Sequence, residues 1–570
     1  MLIFAQKYQL CVIMEHYFNH INATIKKHWD LPAICNFGAE TLTYGDIASG
    51  IEKYHILFKE CGIKKDEKIA ICAGNSAQWG VAFLAVAAYD AVLVPLLPDF
   101  LPKSVVELSS FADSRMLLVD NDILRGLHRD DVLGGFEQQE GFLGVYNLQT
   151  LSPVVSYSDV FAQAAATLDD KFNAKYPNGV TENDVDYSKS NDDMDRLALI
   201  SFTSGTSSSP KGVMLPVRSL SSNIRFAHAA IPVQLGGRVL SILPLAHMFG
   251  MTFDFLYPMS IGGVTTVLAK KPTPARLLAA LAEVKPFMFL TVPMVIEKVF
   301  KAKVIPTLNK PLMKIALAIP GLNKIILKAV CKKLYNTFGG NLQHGVIIGG
   351  AALNKDVEKW MKKMNFPYCV GYGMTECGPI ISFRHWTSFK PSSCGALVRP
   401  LELRIDSDNP AKVLGEIQVK GDNVMVGYYK NEEATRAVFT KDGWLRTGDM
   451  GTFDRNENVY IKGRCKNMIL SASGQNIYPE EIEDKLNNMP YVIESLAVGR
   501  KNAIIALIVP NWDAIKADGL TETEYEKIVR DEIKKINIDL PAYSRVNDID
   551  LRREAFEKTP KQSIKRFMYQ

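Results

Sequence analysis

The sequence predicts an α/β protein with a large N-terminal domain, in which helices flank β-sheets, a small β subdomain, and a small α+β C-terminal domain. Three observations support this prediction. With 570 residues, the chain is too long for a single hydrophobic core. From about residue 197, short apolar runs alternate with small-residue loops and helical patterns, which is typical of parallel strands. After about residue 400, the pattern changes to short strands separated by turns.

The composition is that of a soluble globular protein, with 47% hydrophobic and 22% charged residues. A formal net charge of +5 is small for this length and does not indicate a nucleic-acid partner. The nine cysteines are scattered and form no Cys-x-x-Cys pair, so we expect small buried thiols rather than disulfides or a zinc site. A reducing compartment follows, and we expect the protein to be cytoplasmic.

Two apolar stretches could be read as a signal peptide or as a transmembrane helix. The N-terminal MLIFAQKYQLCVIMEHYF has no basic leader and no small-residue cleavage site, so we do not expect a signal peptide. Val81–Pro98 is almost long enough to span a bilayer, but Asp90 lies at its centre, where a charge is costly. We therefore expect a buried helix, a turn near Asp90, and a buried strand that ends at Pro95.

Each predicted strand of the α/β part leads into a loop of small or polar residues. Loops at the carboxyl ends of parallel strands form the ligand site in such sheets, so we expect these loops to converge. The predicted strands are Leu197–Phe202, Arg238–Leu243, Phe287–Thr291, Gly345–Ile348 and Tyr368–Val370.

The remaining elements follow in chain order. Leu168–Asp195 is acidic and is expected to form a solvated loop. Beyond residue 400, LELRI, GEIQVKG, VMVGYY and VYIKG are predicted strands of the β subdomain. The last hundred residues should contain a helix in NIYPEEIEDKLNNM, strands in ESLAVGR and AIIALIVP, and a charged helix near Glu522–Lys535.

The stretch LALISFTSGTSSSPKGV (Leu197–Val213) looks at first like a Walker A phosphate loop. That loop requires Gly-Lys-Ser/Thr at its end, because the glycine lets the backbone close on phosphates and the hydroxyl binds magnesium. Here Pro210 replaces the glycine and Gly212 replaces the hydroxyl residue. Since proline lacks an N–H and fixes φ, the Walker interpretation fails.

The same stretch resembles the phosphate loop of the adenylate-forming, or AMP-binding, superfamily, which usually reads TSGTTGxPKG. Ser208 stands where that pattern has glycine. Hydroxyls, backbone amides and one lysine can wrap the β- and γ-phosphates of ATP. The alternative is a flexible serine-rich turn. The resemblance implies ATP contacts by Thr203, Ser204, Gly205, Thr206, Ser207 and Lys211, with Thr206 also a magnesium ligand.

Four further motifs occur along the chain in the order that this superfamily has. In GYGMTECG, the resemblance implies that Tyr372 lies against adenine, that Thr375 contacts phosphate, and that Glu376 binds Mg²⁺. RTGDMG would bind the ribose hydroxyls, and the arginine of YIKGRC would add a second ribose contact. GGAAL resembles the turn that lets the nucleotide approach the backbone. The further implied ATP-binding residues are Gly350, Ala351, Ala352, Gly371, Tyr372, Gly373, Asp449 and Arg464.

The resemblance runs from LTYGDIA (Leu42–Ala48) to the C-terminus and is greatest to medium- and long-chain fatty acyl-CoA synthetases. His247 of PLAHMFG would line the carboxylate end of the acyl site, and the alternative is a hydrogen-bonded core histidine. Phe289–Phe300 resembles the long-chain branch. The implied cosubstrates and cofactor are ATP, CoA and Mg²⁺.

The implied reaction has two steps. A fatty acid and ATP would give acyl-AMP and pyrophosphate, and the thiol of CoA would then give acyl-CoA and AMP. Two alternatives remain open from the sequence. One is an enzyme that loads the acyl group onto the phosphopantetheine of an acyl carrier protein, and the other is a nucleotide-binding regulatory protein with impaired adenylation.

The resemblance also implies a mobile C-terminal lid, residues 466–570, on an N-terminal domain of residues 1–465, with a hinge at Lys466. One orientation would bring a C-terminal lysine to the site, and the other would bring Gly474 of SASGQN beside pantetheine. In the tail FEKTPKQSIKRFMY, Ser563 stands where the superfamily has its lysine. Lys561 and Lys565 are the candidate substitutes, and a solvated basic tail is the alternative.

A lysine-rich segment lies outside these motifs. Lys324, Lys328 and Lys332 recur every four residues in KIILKAVCKK, which places them on one face of a predicted helix. A basic amphipathic helix can rest on the anionic inner face of a membrane. The alternative is an ordinary surface helix.

Overall fold

The computed structural model describes residues 14–203, 210–269, 273–471, 475–500, 503–559 and 564–570, with all side chains in these ranges except those of residues 302 and 303. The N-terminal stretch for which no signal peptide was expected lies almost wholly before residue 14 and so outside the described residues. Within them, the predicted α/β architecture is confirmed.

The largest sheet is parallel at its centre and antiparallel at both edges. Every residue of its strand Val92–Leu96 is buried, as expected for a strand with both faces covered. Among the described residues this sheet has eight strands, in the order Gly427–Tyr428, Lys211–Pro216, Leu197–Thr203, Val92–Leu96, Lys68–Cys72, Ser114–Val119, Gly144–Asn147 and Ser152–Ser156.

Three smaller sheets complete the α/β part. The first is mixed and joins Arg238–Ser241, Val264–Val267, Pro32–Asn36 and Thr41–Thr43. The second is parallel and joins Phe289–Thr291, Val346–Ile348 and Tyr368–Val370. The third is antiparallel and joins Tyr372–Gly373, Ile380–Phe383 and Ala396–Leu397.

Helices cover these sheets on both sides. Two of them continue into π-helical turns, Met251–Leu256 and Phe300–Val304. The α-helices before residue 465 are Tyr17–Lys27, Tyr44–Glu60, Ala77–Ala88, Pro102–Phe111, Asn121–Arg129, Asp159–Ala166, Leu168–Lys175, Val217–Ala230, Met248–Gly250, Tyr257–Ser260, Pro274–Val284, Pro293–Val299, Ile305–Leu308, Pro311–Ala318, Leu322–Thr337, Lys355–Lys363 and Glu432–Val438.

The β subdomain and the C-terminal unit both form, but one predicted subdomain strand was wrong. VMVGYY contributes Gly427–Tyr428 to the large sheet, because this segment pairs with Lys211–Pro216 and the Val426 N–H donates to the Met214 carbonyl. Leu445–Phe453 takes its place in the subdomain. The subdomain is an antiparallel sheet of Glu402–Asp406, Gly415–Lys420, Leu445–Phe453 and Val459–Arg464. The C-terminal unit has its own apolar core. Its elements are the strands Ile469–Leu470, Asn476–Ile477, Val492–Arg500, Ala503–Pro510 and Val546–Leu551 and the helices Pro479–Leu486, Trp512–Ala517 and Glu522–Ile538. The domain boundary at residues 465 and 466 stays a prediction.

The apolar stretch Val81–Pro98 folds as helix, turn and strand. The helix ends at Ala88, and Asp90 takes a left-handed conformation with φ 62° before the strand Val92–Leu96 begins. Arg196 and Lys189 pair with the Asp90 carboxylate at 2.9 and 3.1 Å, which compensates its charge. Within the described residues, no helix combines the length and apolarity needed to cross a membrane.

Two further expectations, for the acidic segment and for the serine-rich loop, were wrong in detail. The acidic segment is not all loop, because Leu168–Lys175 forms a helix whose acidic first turn suits a helix N-terminus and whose Lys175 pairs with Glu52. The serine-rich loop does not lead straight into a helix. It joins Leu197–Thr203 to an antiparallel strand, Lys211–Pro216, whose apolar residues are buried in the large sheet.

Candidate active site

A cavity of about 2230 Å³ lies where the loops after several strands converge. Leu243, Val292, Gly349 and Gly371 line it, and each follows the carboxyl end of a different strand. Thr203, at the end of the strand Leu197–Thr203 of the large sheet, also lines the cavity. The convergence expected from the sequence therefore holds for these described residues. The cavity has a polar end and an apolar arm.

The polar end contains a buried carboxylate held by two partners. Tyr372 Oη donates to Asp449 Oδ2 at 2.7 Å, and Arg464 Nε lies 3.1 Å from Oδ1. Asp449 and Arg464 face each other across neighbouring strands, so the sheet register sets this pair. Burial raises the pKa of Asp449, and Arg464 and Tyr372 oppose that rise. A carboxylate accepts about four hydrogen bonds, so two sites remain for a ligand diol.

The Asp449 charge helps to keep its two partners, Tyr372 and Arg464, protonated. Burial and the Asp449 charge raise the pKa of Tyr372, so its hydroxyl remains a donor. Asp449 also raises the pKa of Arg464. Tyr372 and Arg464 line the cavity, while Asp449 lies behind them.

A second carboxylate, Glu376, lines the same cavity and is linked through Tyr428 to Lys211. It follows the strand Tyr372–Gly373 in a short 3₁₀ turn, and its Oε1 accepts a hydrogen bond from Tyr428 Oη at 3.0 Å. Lys211 Nζ stands 4.9 Å from the centre of the Tyr428 ring. Burial and Glu376 raise the pKa of Tyr428, so it too remains a donor. Thr375, of the same turn, also lines the cavity.

The described ends of the expected phosphate loop meet in a hairpin. Thr203 and Lys211 are paired across the two strands, and Thr203 Oγ1 donates to the Lys211 carbonyl at 3.4 Å. A strand-to-strand loop differs from a Walker A loop, which opens a helix. The other expected contacts, Ser204, Gly205, Thr206 and Ser207, lie outside the described residues.

The small residues expected to make room for a nucleotide divide into glycines that line the cavity and alanines that do not. Gly350, Gly371 and Gly373 line the cavity. A Cβ on Gly373 would lie 2.1 Å from the Pro379 carbonyl oxygen, so the close strand pairing requires glycine there. Ala351 and Ala352 are exposed and are not among the residues that line the cavity.

His247 stands between the polar end and the apolar region of the cavity. It caps the short helix Met248–Gly250, and its Nδ1 accepts a hydrogen bond from the Phe249 N–H at 3.3 Å. A neutral ring in this arrangement carries its proton on Nε2. The cavity wall beside it is aromatic and includes Phe249 and Phe253.

The apolar arm extends from this region between three helices. Its walls are aliphatic and come from Pro274–Val284, Pro293–Val299 and Leu322–Thr337. Leu278 and Met294 in its wall are also partly exposed, so the arm reaches the protein surface. The side chains that line it include Leu277, Leu281, Val295, Val299, Leu308, Val330, Leu334 and Phe338.

The C-terminal tail faces the polar end. Lys565 and Arg566 line the cavity, as does Lys466, which follows the last strand of the β subdomain. Arg566 is fixed by a contact to both carboxylate oxygens of the half-buried Glu483, at 2.7 and 2.8 Å. Lys565 Nζ lies 3.2 Å from Glu557. Lys561, Ser563 and Gly474 lie outside the described residues.

Three residues of the polar end, Tyr428, Arg446 and Glu416, were not predicted as site residues from the sequence. Tyr428 was predicted only as part of a strand, although it holds Glu376. Arg446 pairs with Glu416 at 2.9 Å, and Glu416 accepts a further bond from the Gly448 N–H at 3.2 Å. All three line the cavity. Arg446 lies inside RTGDMG and could have been flagged, but its contact with Glu416 depends on strand register.

Comparison with known proteins identifies relatives along the whole chain. Residues 21–429 match the AMP-binding enzyme family, and residues 466–569 match the AMP-binding enzyme C-terminal domain. A long-chain-fatty-acid–CoA ligase of Escherichia coli is 27% identical over 90% of this chain and 91% of its own. A chloroplastic long-chain-fatty-acid–[acyl-carrier-protein] ligase of Arabidopsis thaliana is 26% identical, covering 87% of this chain and 76% of its own.

Solved structures share the fold at lower identity. An anthranilate CoA ligase in complex with anthranoyl-AMP superimposes with a TM-score of 0.75 at 18% identity, over 98% of this chain and 97% of its own. An O-succinylbenzoate coenzyme A synthetase from Bacillus subtilis in complex with AMP gives 0.73 at 20% identity, over 97% and 98%. The fold is therefore the adenylate-forming fold.

Proposed function

The chain belongs to the AMP-binding enzyme family, and we propose that it is an AMP-forming ligase that joins a medium- or long-chain fatty acid to coenzyme A. ATP and CoA are the cosubstrates of the family's acid–CoA ligases, and Mg²⁺ is their general metal. The observation that carries the fatty-acid proposal is the aliphatic arm of the cavity. An arm walled by leucine and valine suits an alkyl chain, because each buried methylene is worth about 0.8 kcal/mol.

In the first step, a carboxylate oxygen of the acid attacks the α-phosphorus of ATP. The new O–P bond forms as the bond to the bridging oxygen breaks, and pyrophosphate leaves. Lys211, which lines the cavity, would neutralise phosphate charge, and preorganised charge of this kind is a major source of catalysis. The His247 Nε2 proton would orient the carboxylate.

Glu376 would hold magnesium. Magnesium is usually bound by one or two carboxylates together with phosphates and waters, and it would neutralise charge on the departing pyrophosphate. The Glu376 side chain fits this role because it lines the cavity and its Oε1 is oriented by Tyr428. Thr206, the second expected ligand, lies outside the described residues.

The buried cluster at Asp449 would hold the ribose. Its carboxylate would accept from the ribose hydroxyls, while Arg464 and Tyr372 keep it in place. AMP contains the same ribose, so this cluster would retain the nucleotide through both steps.

In the second step, the CoA sulfur attacks the acyl carbonyl, the acyl–oxygen bond breaks, and AMP leaves. We propose that the C-terminal unit rotates about Lys466 between the two steps. Lys565 and Arg566 line the cavity, which supports a role for this orientation in the adenylating step. Contacts such as Asn354 Nδ2 to Asn488 Oδ1 at 2.7 Å join the two units in this orientation.

The substrate class is tested with acids from C4 to C18, together with benzoate, assayed for AMP formation in the presence of CoA. We expect kcat/KM to rise about fourfold per methylene until the arm is filled. Val330→Trp should shift the preferred length towards shorter acids, because Val330 lines the arm. Ala329→Trp, on the exposed face of the same helix, is the matched control.

A preference for benzoate, or the same chain-length profile in both tryptophan variants, would contradict the fatty-acid proposal. Replacing CoA with acyl carrier protein in the same assay separates the CoA ligase from a carrier-loading enzyme. The absence of acid-dependent pyrophosphate release would favour a nucleotide-binding protein without adenylation.

Glu376→Gln should reduce pyrophosphate release at least about tenfold, because the amide still accepts from Tyr428 but no longer binds magnesium well. Raising magnesium should partly restore activity. Tyr428→Phe is the control, since it removes the orienting bond and keeps the carboxylate, and its loss should be smaller. Near-normal turnover by a folded Glu376→Gln enzyme would disprove the metal assignment.

Asp449→Asn should weaken ATP and AMP by similar factors, because both carry the same ribose. Replacing the charged acceptor of two hydroxyls should cost about 1–3 kcal/mol per lost bond. Isothermal titration calorimetry measures both affinities. Unchanged affinity for both nucleotides, in a variant with a normal unfolding temperature, would show that Asp449 has only a structural role.

Variants in the C-terminal tail and at the hinge should impair different half-reactions. Lys565→Ala should lower pyrophosphate release while acyl-AMP supplied with CoA is still converted. Lys466→Pro should do the reverse, because proline fixes a backbone angle at the pivot. Assaying each half-reaction separately decides the matter, and equal losses in both halves for both variants would contradict the two-orientation proposal.

A further inference from the structure

The segment from residue 298 to residue 355 contains ten lysines and no aspartate or glutamate. Its central part folds into a helical hairpin, Pro311–Ala318 and Leu322–Thr337, whose helices pack on each other. We call this pair the basic hairpin. The spacing of its lysines was noted in the sequence, but the adenylating chemistry does not use them.

The outer face of the basic hairpin carries apolar side chains in solvent. Leu312 is 82% exposed, Ile315 is 64% exposed and Ile325 is 67% exposed. In the described first helix, from residue 311 to residue 318, no residue is buried. Three protruding aliphatic side chains so close together on a soluble surface mark an interaction site.

Lysines surround these aliphatic side chains. Helical spacing puts Lys324, Lys328 and Lys332 in one stripe on the exposed face of the second helix, beside Ile325. No acidic side chain of the described residues pairs with them or with the hairpin's other exposed lysines, Lys310, Lys314 and Lys333.

The inner face of the same helix lines the apolar arm. Val330 and Leu334 face the cavity, while Lys328 and Lys332, each two residues earlier and about half a turn around the helix, face solvent. At the surface end of the arm, Met294 is 47% exposed. Lys298 and Lys333 also line the arm there. The arm therefore reaches the surface beside the basic hairpin.

We propose that the basic hairpin docks this protein on the surface of an anionic phospholipid bilayer. Its lysines contact lipid phosphates, and Leu312, Ile315 and Ile325 enter the interfacial region. An acidic protein would match the lysines but would leave these aliphatic side chains without an apolar partner. The docking does not depend on the substrate, whereas entry of an acid from the bilayer into the arm rests on the proposed fatty-acid function.

The test is flotation of the full-length protein with vesicles, without substrates. We expect binding to vesicles with about one-third phosphatidylglycerol, little binding to pure phosphatidylcholine, and release at high salt. Reversing Lys324, Lys328 and Lys332 to Glu should weaken the partition at least about a hundredfold. Replacing Leu312, Ile315 and Ile325 by Asn should also reduce it.

The matched control reverses Lys359, Lys362 and Lys363 to Glu, which changes the net charge equally on another exposed helix face. This control should float as the unaltered protein does. Turnover of a short, water-soluble acid and the unfolding temperature should be unchanged in all variants, so failure to dock and failure of the proposed catalysis are separate results.

Equal flotation of the hairpin variants and the control, or no flotation of the unaltered protein, would overturn the proposal. So would light scattering that shows the hairpin variants losing self-association, because the hairpin would then bind a second copy. Binding to acyl carrier protein that is lost with the same lysines, without vesicle binding, would likewise assign the surface to a protein partner.

Discussion

The buried carboxylate of Asp449 organises the polar end of the site. It joins the tyrosine that follows one strand to the arginine of another, and the proposed hinge begins two residues after that arginine. Because Asp449 is only 4% exposed, its charge depends on Arg464 and Tyr372 for compensation. In the proposed mechanism, the positions of the nucleotide and of the lid would therefore be set from the same point, and a change at Asp449 should affect both.

Much of the fold was readable from the sequence, because its strands are short apolar runs followed by small-residue loops. The phosphate loop and the TGD motif could be proposed from the sequence because each is a contiguous stretch. Tyr428 and Glu416 could not, because each meets its partner across tens of residues: Tyr428 reaches a 3₁₀ turn of another segment, and Glu416 meets Arg446 across two paired strands. The helix Leu168–Lys175 was missed because its acidic residues suggested a loop, although they suit a helix N-terminus.

The apolar arm could not be predicted from motifs at all. Its walls come from three helices whose apolar residues look like ordinary core positions in the sequence. Only their packing leaves a space between them that continues from His247 to the surface. The same helix, Leu322–Thr337, thus presents apolar side chains to the arm and lysines to solvent, which connects the proposed substrate with the proposed bilayer contact.

The central claim is that one cavity holds a nucleotide at its polar end and an alkyl chain in its arm. It is tested most directly by photo-cross-linking with an acyl sulfamoyl-adenosine whose chain ends in a diazirine, followed by peptide mass spectrometry. We predict labelling within residues 277–281, 294–299 or 330–338, and loss of that labelling with excess ATP. Labelling confined to other segments, or labelling that ATP does not reduce, would contradict the claim.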